Sequence, residues 1–174
     1  DAEFLFAKTT AAFERLRLNI VNARIITSLN AHCLDTYTVL EPGGKPVGAN
    51  PRRVQEIETT LLHSLMQTTG KVRPANYRRS RKLRYFNEPI TTMLTNTPGK
   101  GYSTLEIKCP DQPGILAILG EVIADNQLRI VDARITTLGE RVEDIFYLKD
   151  HKSRPIIDPD VEHELLSDIE NRLS

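Results

Sequence analysis

"DQPGILAILGEVIADNQLRIVDARITTLGERVEDIFYL", residues 111–148, changes its hydrophobic period partway along. Ile115, Ile118, Leu119, Val122 and Ile123 recur at i, i+3, i+4, i+7 and i+8, the spacing of one apolar helix face, and predict an amphipathic helix over 114–126. Pro113 followed by Gly114 suits entry to that helix. Val131, Ala133 and Ile135 then alternate with Asp132, Arg134 and Thr136, the period of a half-buried strand. "LGER" (138–141) turns the chain into a strand at 142–149, giving a hairpin. Asp158-Pro159 reads as an N-cap followed by a proline in the first helical turn, and Val161, Leu165, Ile169 and Leu173 carry that second helix onward.

Part of this stretch occurs twice. "IVNARIITS" (20–28) returns as "IVDARITTL" (130–138), a shift of 110 residues. With one residue dropped from the following turn, "DTYTVL" (35–40) meets "DIFYLK" (144–149), "KPV" (45–47) meets "RPI" (154–156), and "NP" (50–51) meets "DP" (158–159). That period is too long for a solenoid and indicates two copies of one small fold. The first copy reads as helix 3–17, strands 19–29 and 33–40, and helix 51–68 capped by Asn50-Pro51. Its first helix has the poorer stripe, with Lys8 and Thr9 where the second copy has Ile118 and Leu119.

The second copy is preceded by strand candidates "PITTML" (89–94) and "STLEIKC" (103–109), which flank the turn-rich "NTPGKG" (96–101) and are expected to pair. The full unit is therefore strand, strand, helix, strand, strand, helix. By that count the first copy lacks both leading strands. Its open edge needs cover, expected from a second chain or from 83–95. The organisation reads as a first domain at 1–72, a basic connector at 73–88 and a second domain at 89–174. The whole is expected to be a C-terminal piece of a larger protein.

The 23 basic and 23 acidic residues cancel, so no global field favours nucleic acid or an anionic membrane. No stretch has the length of a membrane span and no signal peptide opens the chain. Cys33 and Cys109 fit neither a disulfide framework nor a zinc site, which suits a reducing cytoplasm and gives the expectation of a cytoplasmic protein. Both read as buried small hydrophobes. The run "RPANYRRSRKLRYF" (73–86) interleaves arginines with aromatics and invites a nucleic-acid reading. "STLEIKC", however, offers no aromatic on which a base could stack, and a solvated connector is the expected role.

Two copies of a helix-covered antiparallel sheet, with "DQPGIL" before a helix, resemble the ACT family of ferredoxin-like regulatory domains. The resemblance implies an α+β fold: tandem ferredoxin-like ACT domains, antiparallel sheets with helices packed on one face. "DARITTLGERVEDIFYL" (132–148), "LDTYTVLEP" (34–42) and "KLRYF" (82–86) narrow it to the C-terminal region of the bacterial PII uridylyltransferase/uridylyl-removing family. What the resemblance implies is a non-catalytic sensor of an amino acid, glutamine above all. It would control nitrogen signalling through a bifunctional nucleotidyltransferase/hydrolase that acts on the PII protein with Mg and UTP. No cofactor and no metal are expected in the present chain, and a homodimer is an open expectation. None of His32, His63, His151 and His163 stands in a His-Asp dipeptide, and no nucleotidyltransferase metal motif occurs. An ACT regulator of another amino acid or parent, or an interaction module built on the connector, remains the alternative.

An amino acid offers a carboxylate, an ammonium and a side chain. Backbone N–H groups at a helix start favour the carboxylate, which points to Gly114, Ile115 and Leu116, with Gln112 in the same loop. Asp111 and Asp132 are acceptors for the ammonium, and Asn22, the counterpart of Asp132, can pair with an amide. Arg24 and Arg134 repeat at one position and read chiefly as solvated. In the first copy "DAEF" (1–4) stands for "DQPG". Phe4 replaces the glycine and predicts a looser turn there.

Overall fold

The structure is a computed structural model and describes residues 4–27, 32–48, 50–67, 89–138 and 141–173. Four helices and eight strands follow in the order α1 (Leu5–Arg15), β1 (Asn19–Thr27), β2 (Cys33–Glu41), β3 (Lys45–Pro46), α2 (Pro51–Met66), β4 (Thr91–Asn96), β5 (Ser103–Pro110), α3 (Ile115–Asp125), β6 (Arg129–Arg134), β7 (Thr137–Leu138), β8 (Arg141–Lys149) and α4 (Pro159–Leu173). The short β3 and β7 carry no sequence signal of their own. The expected caps form: Asn50 Oδ1 accepts from the Arg52 N–H at 3.1 Å and Asp158 Oδ1 from the Asp160 N–H at 3.0 Å.

All strands join one antiparallel sheet in the order β3-β2-β1-β6-β8-β5-β4, with β7 paired to β8 beside that path. β4 pairs with β5 from Thr91↔Lys108 to Asn96↔Ser103, as expected for the two leading strands of the second copy, and forms the sheet edge. The cover of the first copy's edge differs from expectation. β1 pairs with β6 of the second copy through Arg24↔Arg134, so neither a second chain nor 83–95 fills that place. The connector at 73–88 lies outside the described residues.

The repeat extends to backbone detail. A bulge interrupts β1 between Ile20 and Asn22, and another interrupts β6 between Ile130 and Asp132, at positions related by the repeat. Arg24 and Arg134 are likewise repeat partners, so their pairing puts a local two-fold axis between them. Phe4 takes φ 67° and Gly114 φ 81°, both left-handed, and each carbonyl accepts the first helical bond, from Lys8 at 2.8 Å and Ile118 at 2.9 Å. The looser turn expected at Phe4 is therefore corrected: phenylalanine keeps the glycine geometry, with a penalty of about 1–2 kcal/mol for a residue with a Cβ.

The main core lies under the second copy, with Leu105, Ile107, Leu119, Ile123, Phe146 and Leu148 at its centre, and draws in Phe6, Ala23 and Ile25 from the first. Phe6 meets Phe146 edge to face, ring centroids 5.7 Å apart. A smaller core holds Phe13, Leu16 and Leu18 against Tyr37 and α2. Lys8 and Thr9 are buried rather than solvated, because α1 packs against both α2 and α3. Lys8 Nζ donates to the Gln67 carbonyl at 2.8 Å, and the Ser64 hydroxyl donates to the Lys8 carbonyl at 2.9 Å. Against α3 the approach is close: a Cβ at Gly120 would sit 3.0 Å from the Ala7 Cα.

Candidate functional site

Glycine at 120 lets α1 and α3 run side by side. Ala7 lies against Gly120 and Glu14 against Gly114, so the helices are antiparallel and the start of α3 meets the end of α1. Between them opens a pocket of about 820 Å³. One wall is the loop and first turn 111–117 of the second copy; the other is the end of α1, the start of β1 and the turn 42–44 of the first.

Asp111, Gln112, Gly114, Ile115 and Leu116, five of the residues singled out from the sequence, line this pocket. Gln112 is partly committed elsewhere, since its Nε2 donates to the Leu173 carbonyl at the end of α4, 3.3 Å away. Asp111 is exposed as a residue, yet its neighbours crowd the carboxyl enough that desolvation raises its pKa. Asp132 and Asn22 are not part of the pocket wall. Asp132 lies on β6 opposite Tyr147, half-buried, with one carboxylate oxygen buried and without a hydrogen-bond partner. Asn22 is exposed on β1 opposite Thr38.

Two charged residues that the sequence reading passed over also line the pocket, Glu14 and Arg17. Both Glu14 carboxylate oxygens are buried and lack hydrogen-bond partners. A Cβ placed at Gly114 would stand 3.2 Å from each of them, so the carboxylate rests against the entry of α3. Burial raises the Glu14 pKa, and the neighbouring Arg15 charge partly offsets this. The last turn of α1 looks like an ordinary solvated helix end in sequence. Only the packing of α3 makes it part of a site.

A second acidic feature lies on β8. Asp144 on β8 is 1% exposed; its Oδ1 accepts from the Thr136 N–H at 3.1 Å and its Oδ2 has no partner. Burial pushes its pKa up to about 7, the Thr136 bond opposes this, and Asp111 adds to it. Burial, with the nearby charges of Asp144 and Asp111, pushes the buried Cys109 thiol up to about 12, which makes it an unreactive core residue. Asp35, the repeat counterpart of Asp144, is also shifted upward by burial and has one buried oxygen without a partner. Among the described residues there is no group of His, Cys, Asp and Glu suited to a metal ion, and no helix long and apolar enough to cross a membrane.

Residues 103–171, spanning β5 to α4, match the ACT domain family. The chain is 41% identical over 159 residues to a bifunctional uridylyltransferase/uridylyl-removing enzyme of Stutzerimonas stutzeri, covering 91% of this chain and 18% of that protein. The enzyme of that name from Pseudomonas putida strain W619 is 40% identical over 159 residues, again 91% of this chain and 18% of the relative. The one from Pseudomonas aeruginosa strain LESB58 is 38% identical over 174 residues, 100% of this chain and 19% of the relative. The chain thus spans under a fifth of the length of these relatives. No solved structure matches.

Proposed function

From an ACT regulatory domain at residues 103–171, in a chain homologous to part of the bifunctional uridylyltransferase/uridylyl-removing enzymes, we propose that this chain is an amino-acid sensor, with glutamine as its ligand. Residues 4–67 act as a second, divergent unit of the same kind, which the shared bulge, the left-handed helix entries and the local two-fold support. The ligand occupies the pocket between the two units. The observation that carries this reading is the position of the Asp111–Gly114 loop, which faces the other unit across an open cavity rather than packing away. An amino acid held there contacts both units, so binding changes the free energy of any state in which they separate or rotate. In a whole protein of the relatives' kind, that difference would bias opposing transfer and removal activities toward a PII-type signal protein. Mg and UTP belong to the catalytic region of such a protein.

Calorimetric titration of the chain with each of the twenty amino acids tests the reading. Selective heat with glutamine is the expected result. Preference for another amino acid would keep the sensor and replace its ligand. Binding of none would remove the sensor assignment.

A further inference from the structure

The local two-fold through Arg24 and Arg134 relates the junction where the start of α3 meets the end of α1 to one where the start of α1 meets the end of α3. In the first, the start of α3 meets the end of α1, with Gly114 facing Glu14 and with Arg17 on the rim. The repeat shift carries these three residues to Phe4, Ala124 and Gln127. The backbones correspond, since Phe4 shares the left-handed φ of Gly114 and Arg17 and Gln127 both take φ 57°. The charges do not correspond. The junction at α3 has a carboxylate, a guanidinium and a glycine, and the repeat-related positions hold a methyl, an amide and a phenyl ring.

We propose that Glu14 and Arg17 read the two charges of a bound amino acid, Glu14 holding the ammonium and Arg17 the carboxylate, at one site per chain. This rests on the amino-acid reading above and deepens it. A buried carboxylate without hydrogen bonds is held at a free-energy cost that a donor cation relieves. An ammonium on the pocket side, met by rotation of the Glu14 side chain off the entry of α3, supplies both the charge and the missing donors. Asp111 on the opposite wall adds a second negative group, so the pocket selects for positive charge on this side. The same geometry reverses the orientation expected from the sequence. Helix starts attract anions, but the start of α3 already faces the Glu14 carboxylate, and a ligand carboxylate beside it would meet like charge. Arg17, one turn further along the chain, is a planar cation suited to bidentate carboxylate recognition. Charge is thus read by the first unit, while the second, whose loop resembles the family pattern, provides the wall.

The test compares glutamine with 4-carbamoylbutanoate, which retains the amide and carboxylate but lacks the ammonium, by calorimetry on the whole chain. The wild type is expected to bind one equivalent of glutamine and to prefer it over the analogue by about 10- to 100-fold, the range for a hydrogen bond to a charged group. Glu14→Gln is expected to abolish most of that preference. Arg17→Met, at an exposed position, is expected instead to abolish the preference for glutamine over glutaminamide, which lacks the carboxylate. Wild-type discrimination in both variants, or two equivalents bound, would overturn the assignment while leaving the sensor in place. Silence of the wild type toward every amino acid would remove the sensor itself. Thermal melts of the unliganded variants separate lost recognition from lost folding.

Discussion

Asp144 is a carboxylate whose ionisation bears directly on stability. Its carboxyl is buried with one oxygen unpartnered, and its pKa of about 7 exceeds the ordinary carboxylate value of 3.8. Between those two values the folded chain retains a proton that the unfolded chain has lost. Stability therefore falls as pH rises through that window, by about 1.4 kcal/mol per unit and about 4 kcal/mol at most. Asp111 and Cys109 are the titratable groups coupled to it; burial also raises the Asp111 pKa, and the Cys109 thiol is pushed up to about 12. Asp144→Asn keeps the shape and the acceptor for the Thr136 N–H but removes the charge. Its Tm is expected to exceed that of the wild type at pH 8 and to depend less on pH between 5 and 8. Asp35 and Glu14 shift in the same direction, so some slope will remain. Parallel melting curves against pH for the variant and the wild type would show that Asp144 titrates normally. Alternation with Val142, Phe146 and Leu148 puts this aspartate on the core face of β8, but the lack of a partner for its second oxygen is not legible in the sequence.

At the scale of elements, two contacts fasten the repeat copies, and each can be changed alone. The first is the α1–α3 crossing. A Cβ at Gly120 would meet the Phe6 ring at 2.9 Å and the Ala7 Cα at 3.0 Å, and a backbone atom cannot swing aside as a side-chain tip can. Gly120→Val is expected to destabilise the chain by about 1–3 kcal/mol in urea unfolding, the usual range for overpacking. An unchanged midpoint would mean that the helices separate freely. The second contact is the β1–β6 seam, where Arg24 and Arg134 face one another as like charges. Arg134→Glu converts repulsion to attraction and is expected to add about 0.2–1 kcal/mol, read by the same method. Loss of stability instead would show that these arginines serve another contact. The helices, long strands and caps were legible in the sequence because each rests on local period or a cap residue. The seam was not. An exposed edge indicates that something must pair with it, and which strand does so depends on the helix packing beneath.

The whole molecule has a main core that does not respect the repeat boundary. Phe6, Ala23 and Ile25 of the first copy share it with the second, while the first copy's own cluster is small. A unit with so little private core is expected to unfold together with its neighbour. Tyrosine fluorescence, to which Tyr37 in one copy, Tyr102 and Tyr147 in the other and Tyr77 and Tyr85 of the connector contribute, should give the same urea midpoint as circular dichroism. Phe6→Ala, which empties the edge-to-face contact with Phe146, is expected to lower stability by about 3–5 kcal/mol without splitting the transition. Two separated transitions would establish independent domains. Duplication was visible in the sequence from residue 20 to residue 159. The shared core and the asymmetric clefts were not, since both depend on which residues of one copy touch the other.

That asymmetry shapes the response curve. A protein with two matched clefts could fill the second more readily than the first and so react steeply around a threshold concentration. If the sensor assignment proposed above holds, a dyad broken by Phe4, Ala124 and Gln127 leaves one binding site per chain. Occupancy then rises hyperbolically, with a Hill coefficient of about one. A sensor of that kind would respond gradually, nearly in proportion only below its Kd, and any sharper decision would have to arise in contacts between whole molecules.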